Sequence, residues 1–544
     1  MIFETSVPFE RFGIMLDNSR DAVMTVDSVK RMIHIMQDLG YNMLMLYTED
    51  TYEVKNQPYF GRFRGRYSNE EMKEMDAYAK AHGIELVPCI QTLAHLFTLQ
   101  HWPAYWDVAD TKEILLVGEE KVYRLIEDMF ATLSECFTTR LVNVGMDEAK
   151  MLGLGNYLKK HGFRNRVEIF IEHLNRVSEI AKKYGFEICM WSDMFFKLAS
   201  GGWTEGDCEE IDASVGEMIP DNVNLIYWDY YSTEKVHYDR WLEAHEKLKT
   251  DTKFAGGLWT WTGFAPHNAY SIQCGKAATQ SCVEHGIKDV FYTVWGNDGA
   301  ECSRFSILPA MFYNACIAHG IHDEDEIKRR FKAYFGISFE EFMLLDLPGT
   351  ADASGETVDP SKYMLYCDCF MGKFDAHVRK GDAEKYAQIA KRLEAIAANR
   401  QFGEIFNTLK SLCEVLAIKY DLGVRTREAY QNQDKSSLRN ILADYDLLRD
   451  KVEEFYEAFR KQWFWENKPQ GFEVHDIRIG GLIQRICHCR RRLTEYLDGD
   501  ILKIEELEEA MLDFKGSGKV NLKENEKQCF DYNSWYVTVT SGVI

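Results

Sequence analysis

From residue 12 onward the chain repeats one pattern: a short, nearly continuous apolar run, a polar loop, then a longer stretch of helical period. Runs of this kind mark strands buried on both faces, and the helical stretches between them supply the crossovers of a parallel sheet. Eight runs are predicted as strands, at 12–16, 42–46, 85–90, 141–144, 187–191, 224–228, 254–259 and 290–294. Helices are expected near 25–39, 69–82, 119–137, 166–184, 234–249, 270–285 and 306–319. At four junctions, ending in Gly40, Gly83, Gly185 and Gly286, a glycine stands where a helix would stop before its next strand. Eight such units over roughly 310 residues predict an α/β fold, a (β/α)8 TIM barrel. An open doubly wound sheet is the alternative, but Leu16-Asp17-Asn18-Ser19-Arg20 follows the first strand where a glycine-rich phosphate turn would stand.

After about residue 320 the pattern changes. Long, charged, helix-periodic stretches occupy 381–399, 404–428, 434–464 and 477–497, and strand signals are few until 535–540. A loop rich in Pro, Gly and Asp at 347–359 introduces this part. The expected domains are a catalytic barrel at 1–320 and a mainly α-helical C-terminal domain at 321–544.

Composition narrows the partners. With 64 basic and 86 acidic residues among 544, the formal net charge of −22 argues against nucleic acid or an anionic membrane surface. No segment approaches the ~20 apolar residues that span a bilayer, and the N-terminus lacks a basic start with an apolar stretch, so a soluble cytoplasmic protein is expected. Aromatic residues make up 13% of the chain, with 12 Trp and 28 Tyr, side chains whose flat faces and polar handles suit sugar rings. The 14 Cys are scattered, often inside apolar runs, as at Cys89 and Cys189, which reads as buried thiols rather than disulfides. Cys367-Asp-Cys369 and Cys487-His-Cys489 lack the spacing of structural zinc. Neither metal nor cofactor is expected.

In a barrel of this kind the chemistry lies at the C-terminal ends of the strands. The residues there are Asp17 and Arg20; Thr48, Glu49 and Asp50; Gln91 and His95; Asp147 and Glu148; Trp191 and Asp193; Trp228, Asp229 and Tyr230; Trp259 and Trp261; Trp295, Asp298 and Glu301. Carboxylates with aromatic walls are what cleavage of a glycoside needs: acids to donate and accept protons, and faces for the ring. A single Trp or carboxylate at a strand end is more often packing or a helix cap. Five Trp at four consecutive strand ends shift that balance. Within Leu141-Val-Asn-Val-Gly-Met-Asp-Glu-Ala149, Asp147 and Glu148 are adjacent, and two ionised groups so close push one pKa upward, which suits an acid catalyst. Neighbouring strand residues point to opposite faces unless the backbone turns, so the two are poorly placed to flank one bond as opposed nucleophile and acid. They can act side by side on different atoms of a substrate.

Val144-Gly-Met-Asp-Glu-Ala149 resembles the Gly-Gly-Asp-Glu motif of glycoside hydrolase family 20, the β-N-acetylhexosaminidases, and most closely the bacterial and cytosolic exo-acting branch with Met after the first Gly. Met15-Leu-Asp-Asn-Ser-Arg20, Gln91-Thr-Leu-Ala-His95 and Trp295-Gly-Asn-Asp-Gly-Ala-Glu301 resemble its first-, third- and eighth-strand elements, so the resemblance covers about residues 10–320. Pro469-Gln-Gly-Phe-Glu-Val474 extends it weakly into the helical part. The resemblance implies substrate assistance, in which the sugar's own 2-acetamido oxygen attacks C1 to give an oxazolinium intermediate with retention. Glu148 would protonate the leaving oxygen and then deprotonate water, while Asp147 would hold the acetamido N–H. Trp191, Trp228, Trp261 and Trp295 would enclose the sugar, and Tyr230, or Tyr231 in its place, would donate to the acetamido oxygen. His95 would lie in the third-strand loop, and Arg20, Asp298 and Glu301 would bind hydroxyls.

Two positions depart from the family pattern: Asn143 stands where a His is common, and Met146 replaces the second Gly. With the first strand starting near residue 12, the small β-rich domain that often precedes the barrel in that family is not expected here. The expected function is an exo-β-N-acetylhexosaminidase acting on terminal non-reducing β-linked GlcNAc or GalNAc, with a carbohydrate as partner and a homodimer formed through the helical region. Two rivals stay open: a barrel glycosidase with a conventional carboxylate pair that uses Glu301, and a catalytically inactive sugar-binding barrel.

Overall fold

A computed structural model describes residues 3, 5–199, 211–248, 250–350, 359–514 and 516. The apolar runs form β1 (Arg11–Asp17), β2 (Met43–Glu49), β3 (Glu85–Ile90), β4 (Leu141–Asn143), β5 (Glu187–Trp191), β6 (Val223–Trp228), β7 (Thr252–Gly257) and β8 (Asp289–Val294). They pair in parallel, in chain order, as a closed barrel, with β8 meeting β1 from Arg11↔Asp289 to Leu16↔Val294. The fold is the expected (β/α)8 barrel followed by a helical region.

The near-continuous apolar runs have a period of two that burial hides. Met43, Met45 and Tyr47 of β2 point into the barrel beside Met15, Val87, Cys189 and Phe291, while Leu44 and Leu46 pack outward under the helices. Both faces are dry, so both are apolar. Around the strands lie α1 (Val26–Asp38), α2 (Asn69–Ala81), α3 (Glu120–Cys136), α4 (Asn156–His161), α5 (Arg166–Lys183), α6 (Asp193–Ala199), α7 (Lys235–Glu246), α8 (Asn268–Glu284) and α9 (Leu308–Ala318). In α1 the buried Val29, Met32, Ile33 and Met36 make one stripe at helical spacing, and Thr25 caps the first turn by accepting from the Ser28 N–H.

Several bounds differ from the expected ones. β2 runs on to Glu49 because its pairing with β3 continues past a register shift at Tyr47. β4 stops at Asn143 because the chain turns immediately afterwards. β7 ends at Gly257, leaving Trp259 in the loop. The short α4 and α6 lie inside stretches expected as loops, and the last barrel helix is preceded by a 3-10 turn at Arg304–Ile307.

The helical region contains α10 (Glu324–Phe335), α11 (Phe339–Phe342), α12 (Pro360–Tyr366), α13 (Asp382–Glu394), α14 (Gly403–Lys419), α15 (Leu422–Gln431), α16 (Lys435–Glu466), α17 (Phe472–Asp498) and α18 (Glu505–Glu508). The stretch expected as one helix at 404–428 is two, α14 and α15, separated at Tyr420 and Asp421. α14 packs on α13 and α16, and α16 on α17. This region is tied to the barrel at the loops after β1 and β8. The Lys468 N–H donates to Val23 O (2.7 Å), Ser303 Oγ donates to Glu466 Oε2 (2.7 Å), and His475 Nε2 lies 2.8 Å from Gly299 O. The strand expected at 535–540 and most of the loop at 347–359 lie outside the described residues. Among the described residues no helix is long and apolar enough to cross a membrane, and the cysteines are free, all but Cys487 buried.

Candidate active site

At the C-terminal mouth of the barrel a cavity of about 240 Å³ is lined by Arg20, His95, Asp147, Glu148, Trp191, Trp228, Tyr230, Tyr231, Trp261, Trp295 and Asn297. Its geometry begins where β4 ends. Gly145, Met146 and Glu148 have φ of 72°, 67° and 51°, so the backbone coils instead of continuing as a strand. This turn overrides the alternation of strand side chains and brings Asp147 and Glu148 to one cavity. It also explains the glycine: a Cβ on Gly145 would stand 2.1 Å from Gln91 Oε1. Gln91 staples the turn, its Oε1 accepting from the Met146 N–H (3.1 Å) and its Nε2 donating to Asp147 Oδ1 (2.8 Å) and Tyr47 Oη (3.0 Å). On the other flank the Glu148 N–H donates to Asp193 Oδ2 at 3.2 Å.

His95, itself at φ 56°, places Nε2 3.1 Å from Asp147 Oδ2 and 3.7 Å from Glu148 Oε2. Burial alone would lower the imidazole, but the Asp147 carboxylate opposite outweighs it and carries the His95 pKa up to about 9. Burial would equally raise Asp147, yet His95, together with the Gln91 hydrogen bond, holds it below the ordinary carboxylate value. The side chains of the pair differ in exposure, 12% for Asp147 against 39% for Glu148, so one is fixed as a charge and the other reaches the open cavity. Arg20 Nε donates to Glu49 Oε1 (2.9 Å), which also accepts from Tyr47 Oη (3.0 Å), so a continuous polar chain links Arg20 to Asp147 through Glu49, Tyr47 and Gln91.

The walls are aromatic. Trp191 is buried at the β5 end, with its ring centre 6.0 Å from Trp295. Trp228 stacks on Tyr230 at 5.3 Å, and Trp261 meets Tyr230 edge-on at 5.4 Å. Gly257 permits this approach, since a Cβ there would lie 2.9 Å from Trp261 and 3.0 Å from Tyr230. Trp295 Nε1 donates to Tyr230 Oη (3.1 Å), leaving the phenol proton to point elsewhere, and burial keeps that proton on by raising the phenol well above its ordinary pKa. Trp259 stacks behind Trp261 at 4.2 Å and donates to Tyr230 O, outside the cavity.

Of the eleven residues expected at the site, nine line the cavity; Asp298 and Glu301 do not. Glu301 is 3% exposed and turned into the helical region, 2.9 Å from Lys362 Nζ and 3.3 Å from Arg478 Nη1, cations that overcome the burial penalty and hold its carboxyl below the ordinary value. Asp298 is half-buried beside it, its backbone oxygen accepting from Arg478 at 2.8 Å. Asp17 ties the loops after β1 and β8 together by accepting from the Ser19 and Gly296 N–H groups. Asp50 is engaged by Arg64 and Thr98.

Asn297 and Tyr47 were passed over in the sequence. Asn297 stands inside the eighth-strand element at φ 39°, a conformation Asn tolerates better than most residues, and its type was the available signal. Tyr47, hidden in an apolar run, carried none.

Fold and pocket together give a (β/α)8 barrel with two side-by-side carboxylates in a tryptophan-walled cavity at the strand ends. Family models agree: one described as the glycosyl hydrolase family 20 catalytic domain matches residues 9–240, and one described as the glycoside hydrolase 20C C-terminal domain matches residues 340–526. The chain belongs to glycoside hydrolase family 20. Among curated proteins it is 25% identical over 246 residues to beta-hexosaminidase 3 of Arabidopsis thaliana, covering 41% of this chain and 46% of that protein. It is 23% identical over 343 residues to hexosaminidase D of Bos taurus, covering 57% and 92%. The chain thus spans about half the length of the first relative and most of the second. A solved beta-N-acetylhexosaminidase from Bacteroides fragilis aligns at 19% identity and a TM-score of 0.46, over 61% of this chain and 71% of that one.

Proposed function

We propose that the protein is an exo-acting β-N-acetylhexosaminidase that removes terminal non-reducing β-linked GlcNAc or GalNAc by a retaining, substrate-assisted mechanism. One observation carries the reading: Asp147 and Glu148 are the only carboxylates lining the cavity among the described residues, and they stand side by side. A conventional pair needs a second carboxylate across the scissile bond. Glu301, the residue available for that role, is buried between Lys362 and Arg478.

The nucleophile then comes from the substrate. With the acetamido group folded under C1, Asp147 accepts from its N–H and balances the positive charge that grows as its oxygen attacks. Holding this internal nucleophile in place is worth about 7–11 kcal/mol in well-oriented systems. Tyr230 donates its proton to the acetamido oxygen, because its own oxygen is already engaged by Trp295. Glu148, the more exposed of the pair, protonates the leaving oxygen and afterwards takes a proton from water. His95 keeps Asp147 ionised, and Arg20, set by Glu49, binds hydroxyls.

The test is a panel of aryl glycosides differing at C2 and C4. Hydrolysis of the β-GlcNAc but not the β-glucoside is expected, with inhibition by a thiazoline mimic of the oxazolinium. Equal rates on both sugars would return the conventional pair, and binding of GlcNAc without turnover of any glycoside would return the inactive barrel.

A further inference from the structure

The concave surface continues past the sugar pocket. A second cavity, of about 460 Å³, shares Glu148, Trp228 and Tyr231 with the first and extends to residues of α6 and α7. The two cavities therefore meet at the carboxyl that the proposed reaction uses as its acid. That acid must touch the oxygen being cleaved, so the first residue of the leaving group lies within a bond or two of Glu148, where the second cavity begins.

Its lining has the character of a carbohydrate site. Phe196 and Trp241 meet edge-on with ring centres 5.3 Å apart and add aromatic surface to that of Trp228 and Tyr231. Among these rings stand Asp193, Lys197 and Asp229. Asp193 Oδ2 is occupied, accepting from the Glu148 N–H and from Lys197 Nζ at 3.0 Å. Its Oδ1, on a side chain only 8% exposed, has no hydrogen-bond partner among the described residues. A buried acceptor of this kind is costly unless something donates to it, and nothing in the first pocket does. The charge balance disfavours one class of ligand: three carboxylates, Glu148, Asp193 and Asp229, line this cavity against one lining ammonium, Lys197, which Asp193 engages, while Lys150 lies 3.8 Å from Glu148 and His237 2.6 Å from Asp229.

We propose that this second cavity is the subsite for the leaving group, and that it takes a neutral pyranose, stacked on its aromatic surface and donating a hydroxyl to Asp193 Oδ1, in preference to a sulfated or carboxylated one. The assignment rests on reading Glu148 as the acid.

The experiment compares kcat/KM for three substrates with the same terminal N-acetylhexosamine: a methyl glycoside, a neutral disaccharide, and that disaccharide sulfated on its reducing sugar. The unaltered protein is expected to prefer the neutral disaccharide over both others, by about tenfold or more over the sulfated one. Trp241→Ala and, with little change of shape, Asp193→Asn are expected to lower the ratio of disaccharide to methyl glycoside by about tenfold. A ratio unmoved by both variants, or equal use of neutral and sulfated disaccharides, would overturn the subsite while leaving the proposed activity intact. Failure of the unaltered protein to cleave any of the three would overturn the acid assignment and the subsite with it.

Discussion

Two buried carboxylates of the barrel rim, Asp147 after β4 and Glu301 after β8, have similar electrostatics and different outlooks. Both are nearly excluded from water, and both are held below the ordinary carboxylate value by cations that outweigh burial, His95 for one and Lys362 with Arg478 for the other. Asp147 sits on a left-handed turn that aims it and its neighbour into the cavity. Glu301 comes after a second turn, through Asn297 and Ala300 at φ 39° and 53°, and ends among residues of the helical region. A depressed carboxylate pKa at a strand end therefore does not by itself mark chemistry. What distinguishes the two is the source of the cation: a rim residue that itself lines the cavity, or two residues from the region packed outside.

The sharpest way to break this comparison is to neutralise a carboxylate on each side. Glu148→Gln is expected to lower kcat by about 10²–10⁴ on substrates with poor leaving groups, the usual weight of a general acid, while leaving thermal stability near its starting value because the side chain is 39% exposed. Glu301→Gln should do the reverse. It leaves the Lys362 ammonium, wholly buried, without its partner, and losing one member of such a pair costs about 3–5 kcal/mol of stability by chemical denaturation. Retained stability in Glu301→Gln together with abolished turnover would move Glu301 back into the reaction.

The same contrast shows what the residues alone could reveal. The barrel was legible because its strands are dry on both faces and its helices punctuate them, and the Asp147-Glu148 pair was legible because adjacent carboxylates after a buried strand are rare and chemically awkward. Strand ends were less so: β4 stops early because of φ values at Gly145 and Met146 that only one of those residue types announces. Glu301 looked like a pocket residue because Lys362 and Arg478, which claim it, lie 61 and 177 positions away along the chain. Tyr47 and Gln91 act through hydrogen bonds to other side chains, and no local pattern encodes those. Trp259, read as rim, became the backing of Trp261 once β7 ended two residues earlier.

A third perturbation separates the charge of Asp147 from its position. With His95→Ala the burial penalty on Asp147 is opposed only by hydrogen bonds such as that from Gln91, so its pKa rises and the acid limb of the kcat/KM profile should move to higher pH. Stability follows the same pair with two signs. The depressed Asp147 contributes above its ordinary value of 3.8 and loses that contribution as pH falls through the lowered one. The raised His95 contributes fully below 6.5 and loses its share as pH climbs through about 9. The difference in stability between the protein and His95→Ala should therefore be greatest between about pH 4 and 6.5 and shrink toward both ends. A difference that is flat with pH would mean that His95 packs without pairing.

The smallest expected effect concerns the two tyrosines that follow Trp228. Tyr230 is buried, accepts from Trp295 Nε1 and is closed in by Trp228 and Trp261, whereas Tyr231 is 57% exposed at the mouth. If the acetamido oxygen is held by Tyr230, Tyr230→Phe removes a donor aimed at the attacking oxygen and strands the Trp295 indole N–H in the same step. Its kcat/KM should fall about ten- to a hundredfold. Tyr231→Phe keeps the ring and gives up only a hydroxyl at a wet position, where a hydrogen bond to water is the competitor, so the loss should stay within about threefold. Measured on a methyl glycoside, which leaves the second cavity empty of sugar, the two variants report on the first pocket alone. A larger loss in Tyr231→Phe than in Tyr230→Phe would reverse their roles and place the acetamido group on the open side of the pocket, away from Trp295.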